Sequence, residues 1–320
     1  MYYPKDKMAS TAPTLHIICN AGSGSSDARE ARQQIEDVLA AAGRQHDFIL
    51  VDDPARLPEL ARQAVDAAVR DNGAVVVAGG DGTINTVAQA VLPTGCPFGI
   101  VPQGTFNYSP RAHGIPLETT AAAKVLLTAR LKPVQVGLVN ERVFLVNASL
   151  GLYPELLQDR EDFKREHGRK RSVAMLAGLR TLLREHRSLM VEVEHDSGRE
   201  VIQTPSIFIG NNPLQLEQVG LAQAEDVQRR KLAAVIVKPV GRFTLIGLAV
   251  RGMLGQLGEA ESVRDFAFRS MTVRPLSGSA RRGMKVAVDG EVFWSQPPLK
   301  FSVAPQSLLL MVPDEAAPSA

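Results

Sequence analysis

The string VVVAGGDGTIN at residues 75–85 has the residue types needed to hold an anion beside a carboxylate. An apolar, β-branched run ends at Gly79, Gly80, Asp81, Gly82 and Thr83, and a helical pattern begins at once. Glycines there let the backbone approach a ligand closely and take conformations closed to other residues. Amides at a helix start have no partner inside the helix and carry the positive end of its dipole, so the turn suits a phosphate. Asp81 puts a negative charge next to that phosphate. Alone it would repel the phosphate, so it implies Mg2+ between them, a proton to abstract, or both. The plainer reading is a tight turn whose aspartate caps the helix; the length of the string argues against it. A second acidic pair, Asp289-Gly290-Glu291, reads by itself as a hairpin turn, because Asp-Gly is a strong turn signal.

Other chemistries fit less well, a Rossmann dehydrogenase being a weak alternative. GxxxxGK[ST] does not occur, so the chain is not a P-loop NTPase. Gly22-Ser23-Gly24 approaches a dinucleotide fingerprint, but Asp27 stands where its third glycine belongs. Cys19 and Cys96 form no CxxC pair, and the six histidines are scattered, with His16, His46 and His195 read as structural. Two thiols in 320 residues suit a reducing compartment, so the expected location is cytoplasmic. A net charge of +2 is too mild to argue for nucleic acid. The first ten residues lack an apolar signal core, and the uncharged stretch 82–110 is broken by prolines and glycines, so any membrane contact is expected to be peripheral.

The elements that must position these residues alternate in the first part of the chain. Strands are expected at 15–20, 48–51, 74–78 and 98–101, and helices at 27–42, 57–70 and 82–92. That alternation predicts a doubly wound parallel sheet. After Pro133 strands dominate: 134–139, 143–148, 189–194, 206–209, 232–237, 271–274, 285–288, 299–303 and 308–312. The fold class is therefore α/β plus β, with an α/β domain over 1–135, a β-sandwich domain over 136–312 and a frayed tail over 313–320. Trp294 reads as a packing residue. The apolar runs 243–250 and 253–257 read as core, with the wall of an acyl-chain pocket as the alternative.

The ordered set of motifs resembles the diacylglycerol kinase-like superfamily over roughly residues 14–312. GGDGT at 79–83 is similar to the nucleotide loop of diacylglycerol, sphingosine and bacterial lipid kinases and of NAD kinases. Asn20-Ala-Gly-Ser-Gly24, Pro102-Gln-Gly-Thr-Phe-Asn107, Asn147-Ala-Ser-Leu-Gly151, Gly210-Asn-Asn-Pro213 and Asp289-Gly-Glu291 follow in the family's order. The resemblance implies ATP as phosphoryl donor, Mg2+, and a lipid hydroxyl as acceptor, in a cleft between the two domains. It implies that Asn20, Ser23 and Gly24 line the nucleotide site. Gly79, Gly80, Asp81, Gly82 and Thr83 would hold its phosphates, with Asp81 toward the metal. Gly104, Thr105 and Asn107 would close the cleft. Asp289 and Glu291 would approach from the β domain, with Glu291 or Asp81 as the base. An NAD kinase-like enzyme and a nucleotide-binding regulator without catalysis are the competing readings, and a homodimer stays open.

The sequence departs from the family at several positions. Thr86 stands where these kinases have glutamate, and Tyr108 and Tyr153 where several members have aspartate. The stretch 227–232, VQRRKL, lacks the carboxylates with which bacterial members bind a structural Mg2+, so no structural metal is expected there. Basic residues crowd the stretch from Arg160 to Arg187. It reads as a solvated helix or as a dock for an anionic membrane surface.

Overall fold

In the computed structural model, which describes residues 13–20, 27–167, 188–276 and 282–314, the chain divides into two units. The first comprises residues 1–104, 114–132 and 308–320, and the second 105–113 and 133–307.

The first unit is built on a parallel sheet. Strands β1 (Leu15–Asn20), β2 (His46–Val51), β3 (Ala74–Gly79) and β4 (Pro97–Pro102) lie in the order β2-β1-β3-β4. Helices α1 (Asp27–Ala41), α2 (Leu57–Asp71) and α3 (Asp81–Val91) connect them. Every residue of β3 is buried, as expected of a strand covered on both faces. On α2, Leu57, Leu60, Ala61, Ala64, Val65 and Ala68 recur at helical spacing and form its buried stripe. That helix stops at Asn72, whose left-handed backbone (φ 53°) ends the intrahelical ladder. After β4 come α4 (Tyr108–Ala112), α5 (Thr119–Thr128) and β5 (Arg130–Val134).

The last strand of the chain, Leu308–Val312, does not belong to the β-rich unit as its position suggests. It returns to the first sheet and pairs in parallel with β4, with β5 beyond it. Leu308, Leu310, Met311 and Val312 are buried, which suits an interior strand of an α/β sheet better than an alternating sandwich strand. The units therefore do not meet at one boundary near residue 135: the chain crosses between them near residues 104, 113, 132 and 307.

The second unit packs two six-stranded sheets face to face. One runs β10 (Gly198–Thr204), β9 (Leu189–His195), β14 (Ser270–Pro275), β17 (Leu299–Val303), β6 (Gly137–Val139), β7 (Arg142–Phe144). The other runs β13 (Val263–Phe268), β12 (Leu232–Val237), β11 (Ser206–Gly210), β8 (Asn147–Gly151), β15 (Met284–Val288), β16 (Glu291–Ser295). Residues such as Phe144, Val193 and Phe301 from the first and Leu150, Ile209 and Val286 from the second make one buried core. The final strand of the chain, β18 (Leu308–Val312), completes the numbering.

Among the described residues this unit carries α4, given above, and α6 (Leu152–His167), α7 (Pro213–Gln218), α8 (Ala224–Gln228) and α9 (Arg242–Met253). Two core expectations are corrected here. Trp294 is 69% exposed on the edge strand β16, and α9 buries only Leu245 and Leu248 while Phe243, Val250 and Met253 face solvent.

Candidate functional site

In the first unit, the ends of three parallel strands are tied together. Asn20, at the end of β1, donates from Nδ2 to Thr83 Oγ1 at 3.0 Å. The Gln103 amide, just past β4, donates to the Gly79 carbonyl at 2.9 Å. Gly79 must be glycine: a Cβ there would lie 2.8 Å from the Thr83 Cβ. These contacts hold the ends of β1, β3 and β4 in one cluster at the carboxyl edge of the sheet, where open α/β sheets bind ligands.

Gly80 opens α3. Its backbone is extended (φ −83°, ψ 178°) and its carbonyl accepts the Ile84 amide at 3.0 Å. The amides of Asp81, Gly82 and Thr83 precede the first intrahelical bond of α3, the arrangement that favours a bound anion. A Cβ on Gly80 would meet nothing nearer than the Gly104 Cα, at 3.5 Å. Among the described residues, the atoms nearest that position belong to another glycine of the cluster, at ordinary contact distance. Thr86 is uncharged, and its hydroxyl donates back to the Gly82 carbonyl at 3.0 Å. Cys19, beside the cluster, is a buried thiol whose pKa burial pushes up to about 12, so it stays protonated and inert. Ser23, Gly24 and the basic stretch from Arg160 to Arg187 lie outside the residues whose side chains are described.

Within the Gly-Thr-Phe-Asn motif, Gly104 belongs to the first unit while Thr105, Phe106 and Asn107 belong to the second. Asn107 is buried and left-handed (φ 50°, ψ 41°), a conformation asparagine tolerates better than most residues. Phe106 stacks on Tyr108, with ring centroids 6.0 Å apart. The Tyr108 carbonyl accepts from Asn212 Nδ2 at 3.3 Å, and Asn212 Oδ1 caps α7 by accepting the Gln215 amide at 3.0 Å.

The second unit brings Asp289, Glu291 and Asn147 together. Asp289 and Gly290 have φ of 46° and 91°, and Val288 pairs with Glu291, so the two form the two-residue turn between β15 and β16. The hairpin reading and a role for the aspartate hold together. The Asp289 carboxylate accepts three backbone amides, from Leu145 at 2.7 Å and from Val146 and Asn147 at 2.9 Å each. A strand expected over 143–148 is broken there into β7 and β8 because these amides point at a carboxylate. Asp289 is therefore a positioning residue. Asn147 returns the bond, its carbonyl accepting the Asp289 amide at 3.0 Å, and its Nδ2 donates to Gln215 Oε1 at 3.0 Å. Asn211 donates to the carbonyls of Leu145 and Gln135 and accepts from Gln135 Nε2 at 2.8 Å. Glu291 differs from Asp289 in being exposed. Its Oε2 lies 3.4 Å from an Arg142 guanidinium nitrogen, and that guanidinium sits 4.1 Å over the Phe293 ring. Arg142 carried no signal in the sequence, since its partner lies 149 positions away.

The buried Asn147 Oδ1 and Ser149 Oγ have no hydrogen-bond partner among the described residues. They stand two residues apart on β8, so both point to the face opposite the sandwich core formed by Ala148 and Leu150. Asp226, in the stretch compared with a family metal site, is engaged by Lys231 Nζ at 2.9 Å.

Known proteins agree with this architecture. The diacylglycerol kinase catalytic domain family matches residues 14–139. A Pseudomonas aeruginosa protein named "Probable lipid kinase YegS-like" is 32% identical over 262 residues, covering 79% of this chain and 81% of that protein. A diacylglycerol kinase of Bacillus subtilis is 37% identical over 99 residues, 30% of this chain and 33% of that enzyme. Among solved structures, a diacylglycerol kinase from Bacillus anthracis superposes with a TM-score of 0.66 at 17% identity, covering 95% of this chain and 98% of that one.

Proposed function

We propose that this chain, a kinase belonging to the diacylglycerol kinase-like superfamily, transfers the γ-phosphoryl group of ATP to the hydroxyl of a lipid such as diacylglycerol or a sphingoid-type lipid. The observation that carries the reading is the uncrowded backbone of Gly80, with Gly104 beside it, at the first turn of α3. A triphosphate needs such accessible amides at a helix start. Asn20, Ser23, Gly24, Gly79, Gly82 and Thr83 would complete the phosphate site, with Gly104, Thr105 and Asn107 beside it.

Asp81 suits a divalent cation in a limited way. Among the described residues no group of three or more His, Cys, Asp or Glu gathers into a metal cage. One carboxylate with a triphosphate is the donor set Mg2+ accepts readily, since it commonly keeps water and phosphate oxygens as ligands. Bound there, Mg2+ would neutralise charge on the phosphate oxygens. The protein's own residues do the rest. The acceptor hydroxyl gives its proton to Glu291 or Asp81, its oxygen bonds to the γ-phosphorus, and the bond to the β–γ bridging oxygen breaks to release ADP. Glu291 suits the base role better than Asp289, whose oxygens are occupied by three amides. The reading puts the enzyme in the cytoplasm, where ATP is, working transiently at the inner face of a membrane.

The test is radiolabelled ATP with Mg2+ and a total lipid extract, run beside Asp81→Asn. The expected result is a phosphorylated lipid, identified by mass, with turnover at least about a thousandfold lower in the variant. Equal signal from both proteins rejects the proposal. ATP binding without turnover on any lipid would favour a non-catalytic regulator, and phosphorylation of NAD would favour an NAD kinase-like enzyme.

A further inference from the structure

We infer that α9 is the element that seats this protein on an anionic lipid bilayer, lying in the interface with its outer apolar face inserted. The inference deepens the lipid-kinase reading and rests on it for the choice of partner.

Two opposite faces of α9 are apolar. Successive residues turn by about 100° around a helix, which puts Leu245 and Leu248 on one side and Phe243, Ile246, Val250 and Met253 on the other, with Leu254 just past the end. The first side is buried against the fold. The second is not: Phe243 is 75% exposed, Met253 78% and Leu254 66%, and Val250 is exposed as well. Four of the twelve large apolar side chains that are exposed among the described residues thus fall in twelve consecutive positions, 243–254. Scattered exposed apolar residues are ordinary, but a continuous stripe marks a surface that meets something apolar.

The charges say which apolar partner. The helix carries Arg242 and Arg251 and no acidic residue. By the same geometry they fall on the two flanks of the exposed stripe, about 80–100° from Phe243 on either side. Lys238, in the loop before the helix, is exposed too. Apolar centre, basic flanks and no acid is the pattern of a helix lying in a bilayer interface, where arginines reach anionic headgroups. A second copy of the chain is a poorer fit. A two-fold contact along α9 would bring arginines of both copies together on a helix that carries no carboxylate of its own. Among the described residues no helix is long and apolar enough to cross a membrane, so α9 would lie on the bilayer and not span it.

The experiment is vesicle co-sedimentation of the full chain without ATP, using phosphatidylcholine vesicles with and without phosphatidylglycerol. The parent protein is expected to pellet with the anionic vesicles. The partition coefficient should fall at least about tenfold in a Phe243→Ser/Met253→Ser/Leu254→Ser variant. Arg242→Gln/Arg251→Gln should weaken binding to anionic vesicles alone, and Trp294→Ser, which removes an equally exposed apolar side chain elsewhere, should bind as the parent does. The inference is overturned if the parent does not pellet, if the triple variant pellets like the parent, or if sedimentation without vesicles shows a dimer that the triple variant dissolves. Turnover on lipid dispersed in detergent micelles is measured in parallel. No turnover by the parent on any lipid, with the vesicle results as expected, would sink the kinase reading and leave membrane docking standing.

Discussion

Asn20 Nδ2 lies 3.0 Å from Thr83 Oγ1, joining the last residue of β1 to the first turn of α3 across 63 positions of sequence. Thr83 is buried, so its hydroxyl cannot exchange this partner for water without cost. Thr83→Val keeps the shape and removes the acceptor. It should destabilise the protein by about 1–2 kcal/mol, through the loss of this hydrogen bond at a buried hydroxyl. It should also raise the Kd for ATP, because the ends of β1 and α3 are no longer held in register. Thr83→Ser should restore both. Thermal unfolding and ATP titration by calorimetry check the pair, and a Val variant with unchanged ATP affinity would remove this bond from the account of the site.

Gly79 and Gly80 are neighbours with opposite reasons to be glycine. A methyl at Gly79 would run into the Thr83 Cβ at 2.8 Å, so Gly79→Ala should cost about 1–3 kcal/mol in denaturant unfolding. At Gly80 the nearest atom to an added Cβ is 3.5 Å away and the backbone is one any residue adopts. Gly80→Ala should therefore fold with stability within about 0.5 kcal/mol of the parent while binding ATP at least about tenfold more weakly. An alanine variant that binds ATP as well as the parent would mean the phosphates do not lie over Gly80.

Much of this was legible in the sequence. The apolar runs of β1 and β3 and the turn at GGDGT could be read directly, because a doubly covered strand and a glycine-rich helix start leave local signatures. What was not legible depends on distant partners. The run at 143–148 looks like one strand, yet the amides of Leu145 and Val146 are held by Asp289, 144 and 143 residues away. The strand Leu308–Val312 reads correctly as a strand, but its local pattern does not say which sheet it joins. Apolar residues in α9 look like core because composition cannot tell a helix with one buried face from a helix with two apolar faces.

Asp289 and Glu291 should separate cleanly under mutation. Asp289→Asn replaces one of two accepting oxygens by an NH2 group. Oδ2 serves Leu145 and Oδ1 serves both Val146 and Asn147, so either orientation of the amide leaves at least one backbone N–H facing a donor. The expected loss is about 2–3 kcal/mol of stability. Glu291 is exposed and its ion pair with Arg142 is long, so Glu291→Gln should change stability by less than about 0.5 kcal/mol. If Glu291 takes the acceptor's proton, the same variant should lower kcat by at least about a hundredfold with the KM for ATP unchanged. Urea unfolding read beside steady-state turnover makes the comparison. A Glu291→Gln enzyme with parental kcat would transfer the base role to Asp81.

The acid limb of stability should depend on two acid–arginine clusters of the second unit, one on the outer face of the β9–β10–β14 sheet and one, Glu200 with Arg264, joining β10 to β13 of the other sheet. The Arg274 guanidinium, 2.7 Å from Glu194, and Arg199 beside it hold the Glu194 carboxyl below the ordinary glutamate value. Arg264, 2.7 Å from Glu200, does the same to Glu200. A carboxyl whose pKa is lower in the folded state binds its proton more readily when unfolded. Its contribution is therefore complete above the unfolded value, about 4.3, and is lost as the pH falls through the lower folded value. The unfolding midpoint should hold steady from neutral pH down to about 5 as far as these two groups decide it, and then drop. Arg274→Gln and Arg264→Gln each remove one holding cation, so each should flatten that drop and leave a smaller difference between neutral and acid midpoints. Both pairs are partly exposed, so added salt should shrink the effect, and by more in the parent than in either variant, which keeps the other pair. Thermal unfolding across pH 3–7 at low and high salt measures this, and an arginine variant whose acid limb matches the parent's would show that these ion pairs carry none of the acid sensitivity.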